Sequence, residues 1–129
     1  MQKYSQGRKN SFMHALGGLK TLLSTQPNAR LEFIFTILVI AAGFFFNIST
    51  TEWITVILFI TLVLVSEIFN TMLEMILDKI EPQYDEHIKK IKDIAAAGVL
   101  ISVTAAAIGG LIIFLPKLSG LLARLLENL

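Results

Sequence analysis

The chain has 129 residues, of which 54% are hydrophobic and 16% are charged, and its formal net charge is +1. With a mean hydropathy of +0.69, this composition argues against a soluble protein and is typical of a small integral membrane protein with a single domain, residues 1–129. The chain has no cysteine, which excludes disulfides, thiolate metal sites and cysteine nucleophiles.

The first 27 residues predict an amphipathic surface helix. Apolar side chains recur at three- and four-residue spacing among basic ones: Phe12, Ala15, Leu16, Leu19, Leu22 and Leu23, with Arg8, Lys9 and Lys20. The segment does not resemble a secretory signal, because it is basic over too great a length and has no central apolar run. Pro27 is expected to end this helix and turn the chain into the membrane.

Three apolar stretches follow, at residues 31–48, 53–77 and 94–115. Each approaches the ~20 residues that a helix needs to cross a bilayer. Polar segments at 47–52 and 78–93 separate them. The predicted fold is therefore an all-α membrane protein, in which the N-terminal surface helix precedes three transmembrane helices.

Two prolines mark expected breaks. Pro82 lies in the second polar segment, and a new helix is expected to start near Asp85. Pro116 is expected to end the third apolar stretch. Residues 116–129, which are rich in leucine, would then form a short interfacial tail without a recognisable function.

Basic residues are distributed unevenly along the chain. Nine of the eleven Lys and Arg residues lie either before the first span or in the 78–93 segment, and the 47–52 segment has none. Because cytoplasmic loops carry an excess of Lys and Arg, this bias predicts a multi-pass protein with its N-terminus in the cytoplasm.

The second apolar stretch carries a stripe of polar residues toward its cytoplasmic end: Glu67, Asn70, Glu74 and Asp78. On a helix these positions lie at about 0°, −60°, −20° and +20°, on one narrow face. A carboxylate at membrane depth costs on the order of 2.5–3.5 kcal/mol or more, so the stripe predicts a site for ions, protons or phosphates.

Three spans cannot easily surround four polar groups on one helix, and oligomerisation would complete their enclosure. The third span contains small residues that allow close helix approach, either between copies or within one chain. They are Ala95, Ala96, Ala97, Gly98, Ala105, Ala106, Ala107, Gly109 and Gly110.

The stripe contains carboxylate oxygens that can bind a metal ion in phosphate transfer. Mg²⁺ takes oxygen ligands and is commonly shared between carboxylates and substrate phosphates. Lys92 and Asp93 precede the third span at about the same depth as the stripe. A lysine there can neutralise a phosphoryl group while Glu67 accepts a proton from a lipid hydroxyl, although Lys92 can also simply reach the interface from a helix end. The chain has no Walker-type phosphate loop.

The run that contains Glu67, Asn70, Glu74 and Asp78, followed after thirteen residues by Lys92-Asp93 and small residues, resembles the prokaryotic diacylglycerol kinase family. The resemblance covers most of residues 8–115. It implies a homotrimer in the bacterial inner (cytoplasmic) membrane, with sites between subunits. It also implies transfer of the γ-phosphate of ATP, with Mg²⁺, to a membrane lipid alcohol, and no nucleic-acid partner. The Pro82 loop looks like that of Gram-positive members, which favours undecaprenol over diacylglycerol as the lipid.

The family pattern also implies roles for individual residues. Glu67 would be the catalytic base, and Glu74 a metal ligand that helps to hold the ATP phosphates. The other nucleotide contacts would be His14, Gln83, Tyr84, Asp85, Lys92 and Asp93. The residues that shape the site or lie near the lipid entrance would be Arg30, Glu32, Asn70, Asp78 and Ala96.

One position departs from the family. Where the family usually has a glutamate that shares the metal with Glu74, this chain has Gln26. An amide oxygen can coordinate Mg²⁺ but brings no charge, so weaker metal binding is expected. Gln26 supports a first alternative, a catalytically weakened pseudoenzyme. A second alternative is a proton-coupled small membrane transporter that uses Glu67 or Glu74 as its carrier carboxylate.

Overall fold

A computed structural model describes residues 2–127, with side chains from residue 10 onward. It consists of four helices in sequence: α1 (Gln2–Thr25), α2 (Pro27–Phe45), α3 (Thr50–Ile80) and α4 (Glu86–Glu127). Helices α2, α3 and α4 are long and apolar enough to cross a membrane. The prediction of an all-helical protein with three helices suitable as membrane spans is confirmed. Two parts of the prediction fall outside the described residues. They are the basic side chains of Arg8 and Lys9 on α1 and the end of the C-terminal tail.

The link between α1 and α2 is a single residue, Gln26, in extended backbone. Pro27 is the first residue of α2, where its missing N–H removes no helical hydrogen bond. The helix break predicted at Pro27 therefore occurs one residue earlier, and the proline starts the first span.

The turn between α2 and α3 is short and tightly bonded. Asn47 adopts a positive φ of 48°, a conformation that asparagine tolerates better than most residues. Ser49 and Glu52 form a capping box, in which each side chain bonds the backbone N–H of the other residue. Glu52 also forms an ion pair with Lys117 of α4, with 3.0 Å between Nζ and Oε1.

The α3–α4 connection is where the sequence predicts it. Helix α3 ends at Ile80, and α4 begins at Glu86 after the segment that contains Pro82. The Asp85 carboxylate accepts hydrogen bonds from the backbone N–H groups of His87 and Ile88, which caps the new helix.

Pro116 does not end a helix, and the prediction that it does is wrong. Helix α4 continues through it to Glu127. A proline inside a helix removes one backbone hydrogen bond, and membrane helices tolerate this where neighbouring contacts hold both sides. Here Ile113 is buried in the core before the proline, and Lys117 pairs with Glu52 after it.

Helices α3 and α4 form the main packing interface. At the end near the α2–α3 turn, Ile48, Val56 and Ile113 form a small buried cluster. Farther along, the Ser66 and Ser102 hydroxyls lie 2.7 Å apart and bond between the two helices. Phe59 packs directly over Gly109, and a Cβ atom added at Gly109 would lie 2.2 Å from its ring. The absence of a side chain at Gly109 therefore sets how closely the two helices approach.

Substitution of this glycine tests the packing. Gly109→Ala is expected to destabilise the protein by about 1–3 kcal/mol, because the Phe59 ring must move. Gly110→Ala is the matched control, since a Cβ there meets nothing within 4 Å and alanine is the better helix former. Thermal unfolding in detergent measures both variants. Equal melting temperatures for the two would contradict the close approach at Gly109.

Candidate functional site

The stripe on α3 is buried at its centre. The Glu67 side chain is only 2% exposed, and Asn70 and Thr71, in the following turn, are also buried. Because a buried carboxylate without partners is costly, a position of this kind on an apolar helix is a functional candidate rather than a packing residue.

Other carboxylates lie close enough to Glu67 for their charges to interact. These are Glu32 on α2 and Glu74, about two turns farther along α3. One oxygen of Glu32, Oε2, is buried without a hydrogen-bond partner among the described residues. The structure therefore places both Glu32 and Glu74 near Glu67.

Asn70 connects two parts of the stripe. Its side-chain amide donates a hydrogen bond to Oε1 of Glu74, with 3.3 Å between the atoms. Its carbonyl oxygen Oδ1 is buried and has no partner among the described residues. Asn70 thus orients the Glu74 carboxylate and offers one further acceptor inside the site.

An ion pair joins the stripe to α4. The Lys92 ammonium donates to Oδ1 of Asp78. Lys92 is partly buried, whereas Asp78 is mostly exposed. This contact places a positive charge beside the last residue of the stripe, at the end of α3 where the basic segment begins. The prediction that Lys92 lies at the depth of the stripe agrees with this geometry.

The residues after the stripe lie at the surface. Asp93 pairs with Lys89 at 2.9 Å along α4 and both are exposed, so Asp93 does not share the Lys92–Asp78 contact. Tyr84 is 83% exposed. Asp85 is used as the helix cap described above. Gln83 is exposed and its backbone N–H bonds the Glu81 carboxylate.

Arg30 has a structural task that the sequence did not indicate. Its guanidinium donates to the backbone oxygens of Leu23 and Ser24, at 2.6 Å each. These carbonyls belong to the last turn of α1, where helical partners are missing. Arg30 therefore fixes the angle between α1 and α2 around Gln26, by binding the end of α1.

The remaining predicted residues are not drawn into the buried cluster. His14 and Ala96 are exposed, and Gln26 is half-buried in the link, where its side chain does not cap α2. Among the described residues, no group of three His, Asp or Glu side chains is placed to hold a metal ion. The donor set that fits a hard cation within one chain is Glu74 with Asn70, which is incomplete without oxygens from a phosphate or a second chain.

Thr71 is a member of the site that the sequence reading missed. Its hydroxyl oxygen is buried and has no partner among the described residues, whereas Thr55, Thr61 and Thr104 bond the carbonyl four residues earlier. A helical wheel already places Thr71 at about +40°, one turn after Glu67 and within the stripe. Its position on the helix is the sequence signal that could have identified it.

Two grooves adjoin the stripe. One of about 360 Å³ has Glu32 at one end and continues along apolar residues of three helices, including Phe35, Val56 and Phe114. The other, of about 500 Å³, lies between α3 and α4 and contains Asn70 and Gly98. An apolar groove that ends at a buried acid suits a molecule with a long hydrocarbon chain and one polar end.

Comparison with known proteins gives a consistent picture. The family model for prokaryotic diacylglycerol kinase matches residues 13–114. The chain is 33% identical over 108 residues to an undecaprenol kinase of Bacillus subtilis, which covers 84% of this chain and 88% of that protein. It is 33% identical over 113 residues to a diacylglycerol kinase of Synechocystis, covering 87% and 65% of the two chains. A diacylglycerol kinase of Haemophilus influenzae is 29% identical over 107 residues, covering 81% and 91%.

Proposed function

The chain belongs to the prokaryotic diacylglycerol kinase family, and we propose that it transfers the γ-phosphate of Mg-ATP to the hydroxyl group of a membrane lipid. The observation that carries this proposal is the buried Glu67 carboxylate on one helix face with Asn70 and Glu74, beside a lysine held at the same end of the span. A proton acceptor, oxygen ligands and a cation are the groups that this transfer requires.

Glu67 is the proposed catalytic base. Its carboxylate takes the proton of the lipid hydroxyl, the lipid oxygen forms a bond to the γ-phosphorus, and the bond to the β-phosphate oxygen of ATP breaks to release ADP. The apolar groove that ends at Glu32 would present the lipid hydroxyl from within the membrane.

Glu74 and Lys92 are proposed to hold the phosphates. Asn70 already orients the Glu74 carboxylate, which would bind Mg²⁺ together with phosphate oxygens. The metal would neutralise charge on the β- and γ-phosphates. Lys92 is held beside the stripe by Asp78, and its ammonium would turn from that carboxylate to the transferred phosphate.

The exposed residues at the α3–α4 connection are proposed to bind the rest of the nucleotide. The segment Gln83-Tyr84-Asp85 is exposed and lies between the helices that carry Asp78 and Lys92. Its exposure leaves Tyr84 available to contact the nucleotide. Asp93 and His14 complete the proposed set, with Arg30 and Ala96 near the lipid entrance.

The proposed assembly is a homotrimer in the inner (cytoplasmic) membrane of a bacterium, with the N-terminus in the cytoplasm. The incomplete donor set of one chain supports sites shared between copies. Exposed apolar side chains on α1, including Phe12, Leu16 and Leu19, support a helix that lies on the membrane surface. The basic residues before the first span and in the 78–93 segment support a cytoplasmic N-terminus.

Undecaprenol is the first proposed lipid and diacylglycerol the second. One relative is named an undecaprenol kinase, and the loop with Pro82 resembles that branch. A proton-coupled transporter is not favoured, because relatives named as kinases match most of the chain. Gln26 leaves a weakened enzyme as the second candidate.

Replacement of Lys92 tests the proposal. Purified protein in lipid vesicles is supplied with ATP labelled in the γ-phosphate, Mg²⁺ and either undecaprenol or diacylglycerol. The wild type is expected to label the lipid, and Lys92→Met to label it about 10²- to 10³-fold more slowly, because transition-state charge is left without its cation. Lys90→Met is the matched control, since Lys90 pairs with Glu86 along its own helix and neither residue has a proposed role. A wild type that labels neither lipid, or unchanged labelling by Lys92→Met, would contradict the proposal.

Restoration of a carboxylate at position 26 tests the second candidate. If Gln26 weakens the metal site, Gln26→Glu is expected to lower the Mg²⁺ concentration for half-maximal labelling by about 10-fold or more. A Mg²⁺ titration of both proteins at fixed ATP measures the effect. Gln2→Glu on α1 controls for added charge. An unchanged titration for Gln26→Glu would place position 26 outside the metal site.

A further inference from the structure

Helix α4 extends beyond both the family match and the helix it packs against. The match ends at residue 114, while α4 continues unbroken to Glu127. The ion pair between Lys117 and Glu52 sets Lys117 level with the first turn of α3. Residues 118–127, here called the C-terminal extension, therefore continue past the start of α3.

The same ion pair indicates where the apolar part of the membrane ends. The apolar stretch 94–115 covers about 33 Å as a helix, which is already the thickness of the hydrocarbon core. Trp53, a residue type enriched at the membrane interface, follows Glu52 directly. The C-terminal extension then projects about 15 Å farther, into the interfacial region and the water beyond it.

This extension has a leucine face that no other part of the described chain covers. Its four side chains lie within about 100° of one another around the helix and are 45–71% exposed: Leu118, Leu122, Leu125 and Leu126. The opposite side carries Gly120, Arg124 and Glu127. Spacings of four and three residues from Leu118 to Leu122 and Leu125 are those of a coiled-coil seam.

We infer that the leucine face of the C-terminal extension packs against the same face of neighbouring copies, as a short parallel bundle on the far side of the membrane. The inference rests on the oligomer of the proposed function. Membrane insertion orients all copies alike and brings residues of equal number to equal depth, so the seams meet in register. No charged side chain lies on the leucine face, so symmetry brings no like charges together.

The continuity of α4 through Pro116 favours a second copy over the membrane surface as the occupant. To lie on the membrane, the extension must turn sharply at Pro116, but the helix is continuous there. Surface-binding helices also carry several Lys or Arg residues and often aromatic anchors. The extension has Arg124 as its one basic residue and no aromatic residue.

Single-cysteine variants of the full chain test this interface, because the natural sequence has no cysteine to interfere. Leu122→Cys places a thiol on the leucine face, and Glu127→Cys places one on the opposite face of the same extension. After mild oxidation in lipid vesicles, Leu122→Cys is expected to give on the order of fivefold more covalent dimer, because a disulfide requires Cα atoms within about 7 Å. Chemical crosslinking of lysines reports separately whether each variant has assembled.

Equal dimer yields for the two variants, or no dimer from an assembled Leu122→Cys protein, would overturn the inference. So would quenching of a fluorophore at position 122 by brominated lipid, which would show that the face lies on the membrane. The lipid-labelling assay on the same vesicles separates the two proposals. Crosslinking without labelling supports the bundle and contradicts the kinase proposal. Labelling without crosslinking supports the kinase proposal and contradicts the bundle.

Discussion

The burial of the Glu67 carboxylate inside a membrane helix is the constraint on which the rest of the structure depends. A charge in apolar surroundings is stable only with polar or ionic partners nearby. Glu32, Asn70, Thr71 and Glu74 lie near it on two helices, but two of them are acids of the same charge, and buried oxygens of Glu32, Asn70 and Thr71 have no partners among the described residues. Such an arrangement is unfavourable for stability by itself, and the proposed lipid hydroxyl, phosphate and metal would supply the missing partners.

The packing of α3 on α4 fixes the relative positions of the residues in this site. The hydroxyl contact between Ser66 and Ser102 and the close approach at Gly109 hold the two helices at one separation and one register. The Glu52–Lys117 pair fixes the same register at the opposite end. With the register set in this way, Lys92 meets Asp78 near the end of α3. The positive charge of the site is thus placed by contacts that lie far from it.

Much of this could be predicted from the sequence, because hydropathy and helical period are local properties. They predicted three apolar helices of spanning length, the start of α4 near Asp85 and the common face of Glu67 and Glu74. The course of α4 through Pro116 could not be predicted in this way, since it depends on contacts of Ile113 and Lys117 with other helices. The hydrogen bonds from Arg30 to the backbone oxygens of Leu23 and Ser24 likewise depend on the angle between α1 and α2. Roles in nucleotide and metal binding stay predictions.

The rate of phosphate transfer by Glu67→Gln tests the central claim most directly. The variant keeps the shape of the side chain and removes its ability to accept a proton. With saturating Mg-ATP and lipid, and with the size of the assembled protein checked against the wild type, a loss of about 10²- to 10⁴-fold in the labelling rate is predicted. Labelling by Glu67→Gln at the wild-type rate would contradict the account, because the buried carboxylate would then have no part in the reaction.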